Sequence, residues 1–286
     1  MKKRTNDGLV LVRSPSGRAH CALAIGGLDP GGGAGIVADL RAFAAAGAFG
    51  CAAVALVTVQ STAGLRGVKP LPAREVAAQA GEVLRHQRVG AVKVGALGSE
   101  GNVRAVAALL ARHPHVPAVV DTPMAATRAR RKGAHVRLLA TRAVAALRET
   151  LLPRATLVTA NADEVEALVG HRVTTVGEAH DAALALVAAG ARAALVKGGH
   201  WGGPSAIDVL AVGTDVTELR AKRLPNGAHG TGCTLASLIA GRLAVRTGPH
   251  VDADTLVAAV RWAKRVHHAA LARALDVGGP ARVLAF

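Results

Sequence analysis

From Cys21 onward, short apolar runs alternate with longer segments whose apolar residues recur at helical spacing. The runs Cys21–Ile25, Cys51–Val59, Ala91–Val94, Ala118–Val120, Thr156–Thr159 and Ala193–Val196 predict strands. Several are continuous rather than alternating, the pattern of a parallel sheet covered on both faces. Between them, Ala34–Ala46, Ala73–His86, Val103–Arg112, Thr141–Leu151, Asp163–Val169 and Glu178–Ala189 predict helices. Ile207–Val212 and Val216–Arg220 read as a hairpin around Gly213-Thr214-Asp215, and Cys233–Arg246 and Asp252–Ala274 as two closing helices. Repeated strand–helix units require right-handed crossovers, which gives a three-layer α/β/α domain around a mostly parallel sheet. Residues 19–286 are expected to form a single domain, preceded by a flexible tail over residues 1–18.

Ligands in such sheets bind beyond the carboxyl ends of the strands. Gly26, Gln60, Gly95, Asp121, Asn161 and Lys197 all fall at or just past expected strand ends.

Composition narrows the function classes. The 286 residues are long enough for a large core, which must be built from Ala, Val and Leu, because aromatics are 2% and Tyr is absent. That scarcity argues against base stacking on a single-stranded nucleic acid. The net charge of +16 is scattered; only Arg128-Ala129-Arg130-Arg131-Lys132 is a dense run. Such charge either attracts anions, nucleotide phosphates included, or is a solvated Arg-rich surface. Cys21, Cys51 and Cys233 form no C-x-x-C pair, which favours a reducing compartment over a disulfide or zinc framework. Without a secretion signal or a membrane-length apolar run, the expectation is a soluble cytoplasmic protein with neither a nucleic-acid nor a membrane partner. His267-His268 reads as an exposed helical pair rather than a metal site.

Two segments carry chemistry. In His229-Gly230-Thr231-Gly232-Cys233-Thr234, glycines let backbone N–H groups converge just where a helix begins. The helix dipole adds positive potential, and the pair makes a seat for an anion such as a transferring phosphoryl group. A thiol at that position, Cys233, is expected to have a lowered pKa. The second segment, Gly26–Ile36, holds six glycines directly after the first strand and allows close backbone approach to a ligand. It lacks the Gly-Lys-Ser/Thr of a P-loop, and no acidic residue ends the second strand as a dinucleotide fold requires. Asp39 follows inside the next helix.

These segments, with Gln60-Ser61-Thr62, Lys93-Val94-Gly95, Asp121-Thr122-Pro123-Met124, Asn161 with Glu164, and Lys197-Gly198-Gly199-His200, occur in one order. In that order the chain resembles the hydroxymethylpyrimidine/phosphomethylpyrimidine kinase family of the ribokinase-like superfamily, over roughly residues 20–284. Cys233 stands where many sugar kinases of the superfamily carry Asp. The resemblance implies ATP and Mg²⁺ as cofactors, a homodimer, and a hydroxymethyl aminopyrimidine, free or phosphorylated, as substrate. It implies catalytic roles for Cys233, Gly230, Gly232 and Lys197, the backbone groups forming an anion hole. It implies substrate contacts from Gly27, Asp39, Gln60, Ala96 and Pro123, with Asp39 accepting from the exocyclic amine. Lys197, Asn161, Thr231 and Gly232 would hold the nucleotide, and Asp121 and Glu164 the Mg²⁺.

Three positions depart from the family pattern. Leu28 replaces a small hydroxyl residue, Ala96 a Met, and Pro123 a Val. Loss of Met at Ala96 would widen the pocket toward a larger or a phosphorylated substrate, and the basic run after Met124 would serve a substrate phosphate; the choice between free and phosphorylated pyrimidine stays open. Pyridoxal kinase activity and a non-catalytic pyrimidine-binding regulator are the alternatives. Parallel assays with pyridoxal and hydroxymethylpyrimidine, and binding without turnover, discriminate among the three.

Overall fold

The computed structural model describes residues 19–124, 138–199, 201, 203–225, 227–246, 248 and 250–286. The tail over residues 1–18, the basic run Arg128–Lys132 and His200 lie outside them. Among the described residues nine strands form one sheet, ordered β3-β2-β1-β4-β5-β6-β7-β8-β9. They are β1 Cys21–Leu28, β2 Phe49–Ser61, β3 Gly64–Pro70, β4 Val89–Val94, β5 Ala118–Asp121, β6 Leu157–Ala160, β7 Ala193–Val196, β8 Ser205–Val212 and β9 Asp215–Lys222. The six from β2 through β7 in sheet order pair in parallel, and β3, β8 and β9 pair antiparallel at the two edges.

Burial explains the continuous apolar runs. In β1, Leu23 and Ile25 enter the core on one face of the sheet, and Ala22 and Ala24 enter the core on the other. The first face is covered by α2 Ala73–His86, α3 Glu100–Arg112, α4 Ala143–Ala146, α5 Ala162–Val169 and α6 Val176–Ala188. The second is covered by α1 Gly35–Ala45, α7 Thr231–Ala244 and α8 Ala253–Ala272. The three-layer α/β/α expectation holds, and among the described residues no helix is long and apolar enough to cross a membrane.

The differences have local causes. The helix expected over Thr141–Leu151 is only one turn of α-helix, followed by a π turn at Leu147–Leu151 and a 3₁₀ turn at Leu152–Arg154. Pro153 within that last turn lacks the N–H that a continuing helix needs. Strand β3 escapes a hydropathy reading because two glycines, Arg66, Lys69 and Pro70 interrupt it, as an edge strand tolerates. A further pair, β10 Ala228–His229 with β11 Arg282–Val283, is too short to leave a periodic signal. It ties the C-terminal segment to the turn before α7.

The sheet order reverses between β1 and β4: from β1 the chain first adds strands on one side, then crosses to the other. Such a switch point opens a crevice at the carboxyl ends of the two strands. Gly26 of β1 faces Gly95 and Ala96 after β4 there.

Candidate active site

The anion turn is set by Gly230, which precedes α7 with φ +78°. A Cβ at that position would overlap the Gly33 carbonyl, so the turn and the first glycine loop meet in backbone contact. His267 of α8 lies with Nε2 3.0 Å from the Thr231 carbonyl and fastens the turn from behind. Burial depresses the His267 imidazole to about 4, so it is neutral and donates that bond. His268 similarly reaches the Lys222 carbonyl at 2.8 Å. The two histidines are therefore backbone ties, and not the exposed pair that the sequence suggested.

Lys197, directly after β7, brings three expected functions together. Its Nζ lies 2.8 Å from Asp121 Oδ1 and 3.5 Å from Glu164 Oε2. It also lies 3.2 Å from where a Cβ on Gly232 would stand, so the ammonium sits beside the anion turn. Burial opposes charge at Asp121, but Lys197, backed by Lys93, overrules it and holds the carboxyl below its usual range. At Glu164 burial wins over Lys197 and, with Asp121 adding to it, raises the carboxyl. Asn161 caps α5: its Oδ1 accepts from the Glu164 N–H at 2.9 Å, and Glu164 Oε2 accepts from the Asn161 N–H at 2.8 Å. This box explains why Asn161 and Glu164 are spaced by three and why Glu164 is aimed at Lys197.

Cys233 departs from its expected chemistry. The helix start predicts a lowered pKa, yet enclosure by the protein raises the thiol to about 12; Lys93 and Lys197 oppose that rise, and Asp121 and Asp39 reinforce it. At neutral pH the group is a thiol, contrary to the lowered pKa expected of it. The turn's contribution is then carried by backbone N–H groups.

Asp39 is the clearest difference from expectation. It is 0% exposed, and both of its oxygens lie 3.0 Å from Lys93 Nζ, with Ser237 Oγ donating to Oδ1 at 2.6 Å. Those bonds engage the carboxyl inside the protein, where burial outweighs Lys93 and Ser237 and raises it above its usual range, so acceptance from a substrate amine is replaced by a buried pair with Lys93. Burial opposes the Lys93 ammonium, but Asp39 first, then Cys233 and Asp121, hold it above its ordinary value. The signal was legible: Asp39 lies on the apolar stripe of Ile36, Ala42 and Phe43, and Lys93 stands inside a buried strand. Two buried opposite charges must find each other.

Gly27 and Ala96, expected to contact the substrate, meet at the switch point, whereas Pro123 and Gln60 stand at neighbouring strands. A Cβ on Gly27 would lie 2.7 Å from Leu56 and 3.6 Å from Ala96. Pro123 lies past β5 beside Gly95 and Asp121. Gln60 lies inside β2 rather than beyond its end, and its amide is 3.0 Å from His229 Nε2. The same nitrogen is 3.0 Å from Asp29 Oδ2. The Asp29–His229–Gln60 cluster was not foreseen, because its members are distant in sequence.

This geometry places a glycine turn, a lysine and two carboxylates side by side. The sequence profile of the phosphomethylpyrimidine kinase family matches residues 29–283. The chain belongs to that family. It is 42% identical to the hydroxymethylpyrimidine/phosphomethylpyrimidine kinase of Streptomyces coelicolor over 90% of each chain. Its fold matches the ADP complex of Bacillus subtilis pyridoxal kinase with a TM-score of 0.79 and 26% identity, covering 93% of this chain and 96% of that one. It also matches a phosphomethylpyrimidine kinase from Clostridium difficile with a TM-score of 0.71 and 26% identity, covering 87% and 99%. The protein is thus a kinase of the ribokinase-like fold.

Proposed function

We propose that the protein transfers the γ-phosphoryl group of ATP to 4-amino-5-hydroxymethyl-2-methylpyrimidine, to its monophosphate, or to both in turn, in thiamine synthesis. The observation that carries this reading is Lys197, which stands beside Gly232 of the anion turn while paired with Asp121 and Glu164. In the transfer, a substrate oxygen attacks phosphorus, the bond to the β–γ bridging oxygen breaks, and ADP leaves with the electron pair. The N–H groups of Gly230, Gly232 and Cys233 receive the equatorial oxygens, whose charge peaks as the loose transition state forms. Thr231 lines the turn, and Lys197 offsets the charge on the leaving nucleotide. The substrate proton is lost late, to water, and needs no strong base, which suits a Cys233 thiol. Gly27, Ala96 and Pro123 frame the ring, and Gln60 reads its edge.

The donor set suits Mg²⁺. Asp121 Oδ2 and Glu164 Oε1 carry no hydrogen bond among the described residues. Two carboxylates are the usual protein share for an ion that retains its waters. Bound there, Mg²⁺ would neutralise phosphate charge. A cytoplasmic homodimer completes the reading, and sedimentation of the purified protein tests its assembly.

A coupled ADP-release assay tests the function. ADP should appear only with a hydroxymethylpyrimidine present, and Lys197→Met should lower kcat at least about 100-fold. ADP release that ignores the pyrimidine would refute the proposal. The small side chain of Ala96 beside Gly27 also favours a second reading, pyridoxal phosphorylation. A higher kcat/KM with pyridoxal than with either pyrimidine would make it the primary one.

A further inference from the structure

We infer that His229 is a positioning residue which fixes the polarity of the Gln60 amide, so that Gln60 presents its N–H₂ to the ligand and selects a ring carrying a hydrogen-bond acceptor. This rests on the reading that Gln60 faces the substrate.

The argument begins with one nitrogen and two neighbours. His229 Nε2 is 3.0 Å from Asp29 Oδ2 and 3.0 Å from the Gln60 amide. An imidazole nitrogen offers either one hydrogen or one lone pair, never both. Asp29 is 2% exposed and accepts N–H bonds from Gly31 at 2.8 Å and Ala34 at 2.9 Å. Burial opposes its charge, but the bond to His229 and the two backbone donors outweigh burial and keep the carboxyl ionised. A lone pair on Nε2 would face that carboxylate and be repelled, so Nε2 carries the hydrogen. This holds for the neutral ring and the imidazolium alike. That one hydrogen is shared between Asp29 Oδ2 and the amide head at 3.0 Å; the nitrogen placed there would set donor against donor, so the head must be the acceptor. The two heads of an amide have the same size and are assigned from their hydrogen bonds, so the oxygen faces His229. The N–H₂ is left without a partner among the described residues, available to a ligand.

The fold holds this arrangement stiffly. His229 belongs to β10 and pairs with Val283 of β11. Its ring lies against Gly33, where any side chain would overlap it. Gly230 follows directly, so the residue that orients the reading amide is adjacent in sequence to the anion turn. A substrate ring nitrogen satisfies the fixed N–H₂; a C–H or N–H at that place leaves a desolvated donor without a partner, which costs affinity.

The test is a double-mutant cycle in the full-length protein, with steady-state kinetics on hydroxymethylpyrimidine and ATP. Gln60→Ala and His229→Phe should each raise the pyrimidine KM about tenfold, with ATP KM and kcat changed less than about threefold. The double variant should be no worse than either single one, because both remove the same bond. If Gln60→Ala leaves the pyrimidine KM unchanged, the placement of Gln60 at the substrate is wrong. If Gln60→Ala raises it but His229→Phe does not, or the two effects multiply, the positioning role is overturned. Should His229→Phe fail to fold, Asp29→Asn replaces it in the cycle, since it removes the charge that fixes the Nε2 hydrogen. The same non-additivity with Gln60→Ala is expected, and multiplying effects again overturn the role.

Discussion

Asp39 offers the sharpest separation of structure from substrate binding. Asp39→Asn would leave the Lys93 ammonium, itself 1% exposed, without its counter-charge and would weaken the Ser237 bond. Breaking one side of a buried pair costs about 3–5 kcal/mol, mostly because the surviving charge is stranded. For a domain of this size each kcal/mol moves the melting temperature by about 2–4 °C, so a fall of roughly 10 °C or more is expected. Replacing both partners together, Asp39→Leu with Lys93→Met, removes the stranded charge and should recover most of that loss. Differential scanning calorimetry of the parent and the two variants measures the recovery. Kinetics on the folded fraction of Asp39→Asn should show a pyrimidine KM within about threefold of the parent. An unchanged melting temperature with a large rise in pyrimidine KM would refute the structural assignment and return Asp39 to the substrate.

Other consequences follow from the same geometry. Gly230→Ala forces a side chain into a positive-φ position and against the Gly33 carbonyl, so kcat should fall about 100-fold or more as the anion turn deforms; stopped assays that find near-normal kcat would exclude the turn as the phosphoryl seat. With its thiol at about 12, Cys233 holds about a thousandfold less thiolate at neutral pH than an ordinary thiol. Mass-mapped iodoacetamide labelling of Cys233 should therefore be slow at pH 7.5 and accelerate through the alkaline range; fast labelling at neutral pH would restore the thiolate reading. The His267 ring is protonated near 6.5 when unfolded but only near 4 when folded. Its contribution, at most about 3 kcal/mol, is complete above pH 6.5 and is lost as pH falls toward 4. Denaturant melts of His267→Gln should lose that acid slope, and an unaltered slope would assign it to other groups.

The layers of the fold were readable because parallel strands buried on both faces leave continuous apolar runs, as in Cys21–Ile25 and Ala193–Val196. Strand β3 was not readable, since an edge strand needs little apolar surface and Gly64–Pro70 carries its charges outward. Lys197, Asp121, Glu164 and the glycine turn stood out in the sequence as a set suited to phosphate chemistry, and the structure brings Lys197 beside Asp121, Glu164 and Gly232. Asp39 was assigned to the substrate because a carboxylate in a conspicuous motif invites a ligand, although its place on the buried stripe of α1 already pointed inward. The lowered pKa expected of Cys233 came from the helix terminus alone, whereas the enclosure that raises it is a tertiary effect. The Asp29–His229–Gln60 cluster joins three distant segments and leaves no local pattern to read.

The most direct measurement is phosphorylated-product formation from hydroxymethylpyrimidine and ATP, followed by mass spectrometry for the parent and Gly230→Ala. The account predicts phosphorylated pyrimidine in step with ADP for the parent, and a loss of about 100-fold or more in the variant. ATP consumption without phosphorylated pyrimidine, or equal product from both proteins, would contradict it.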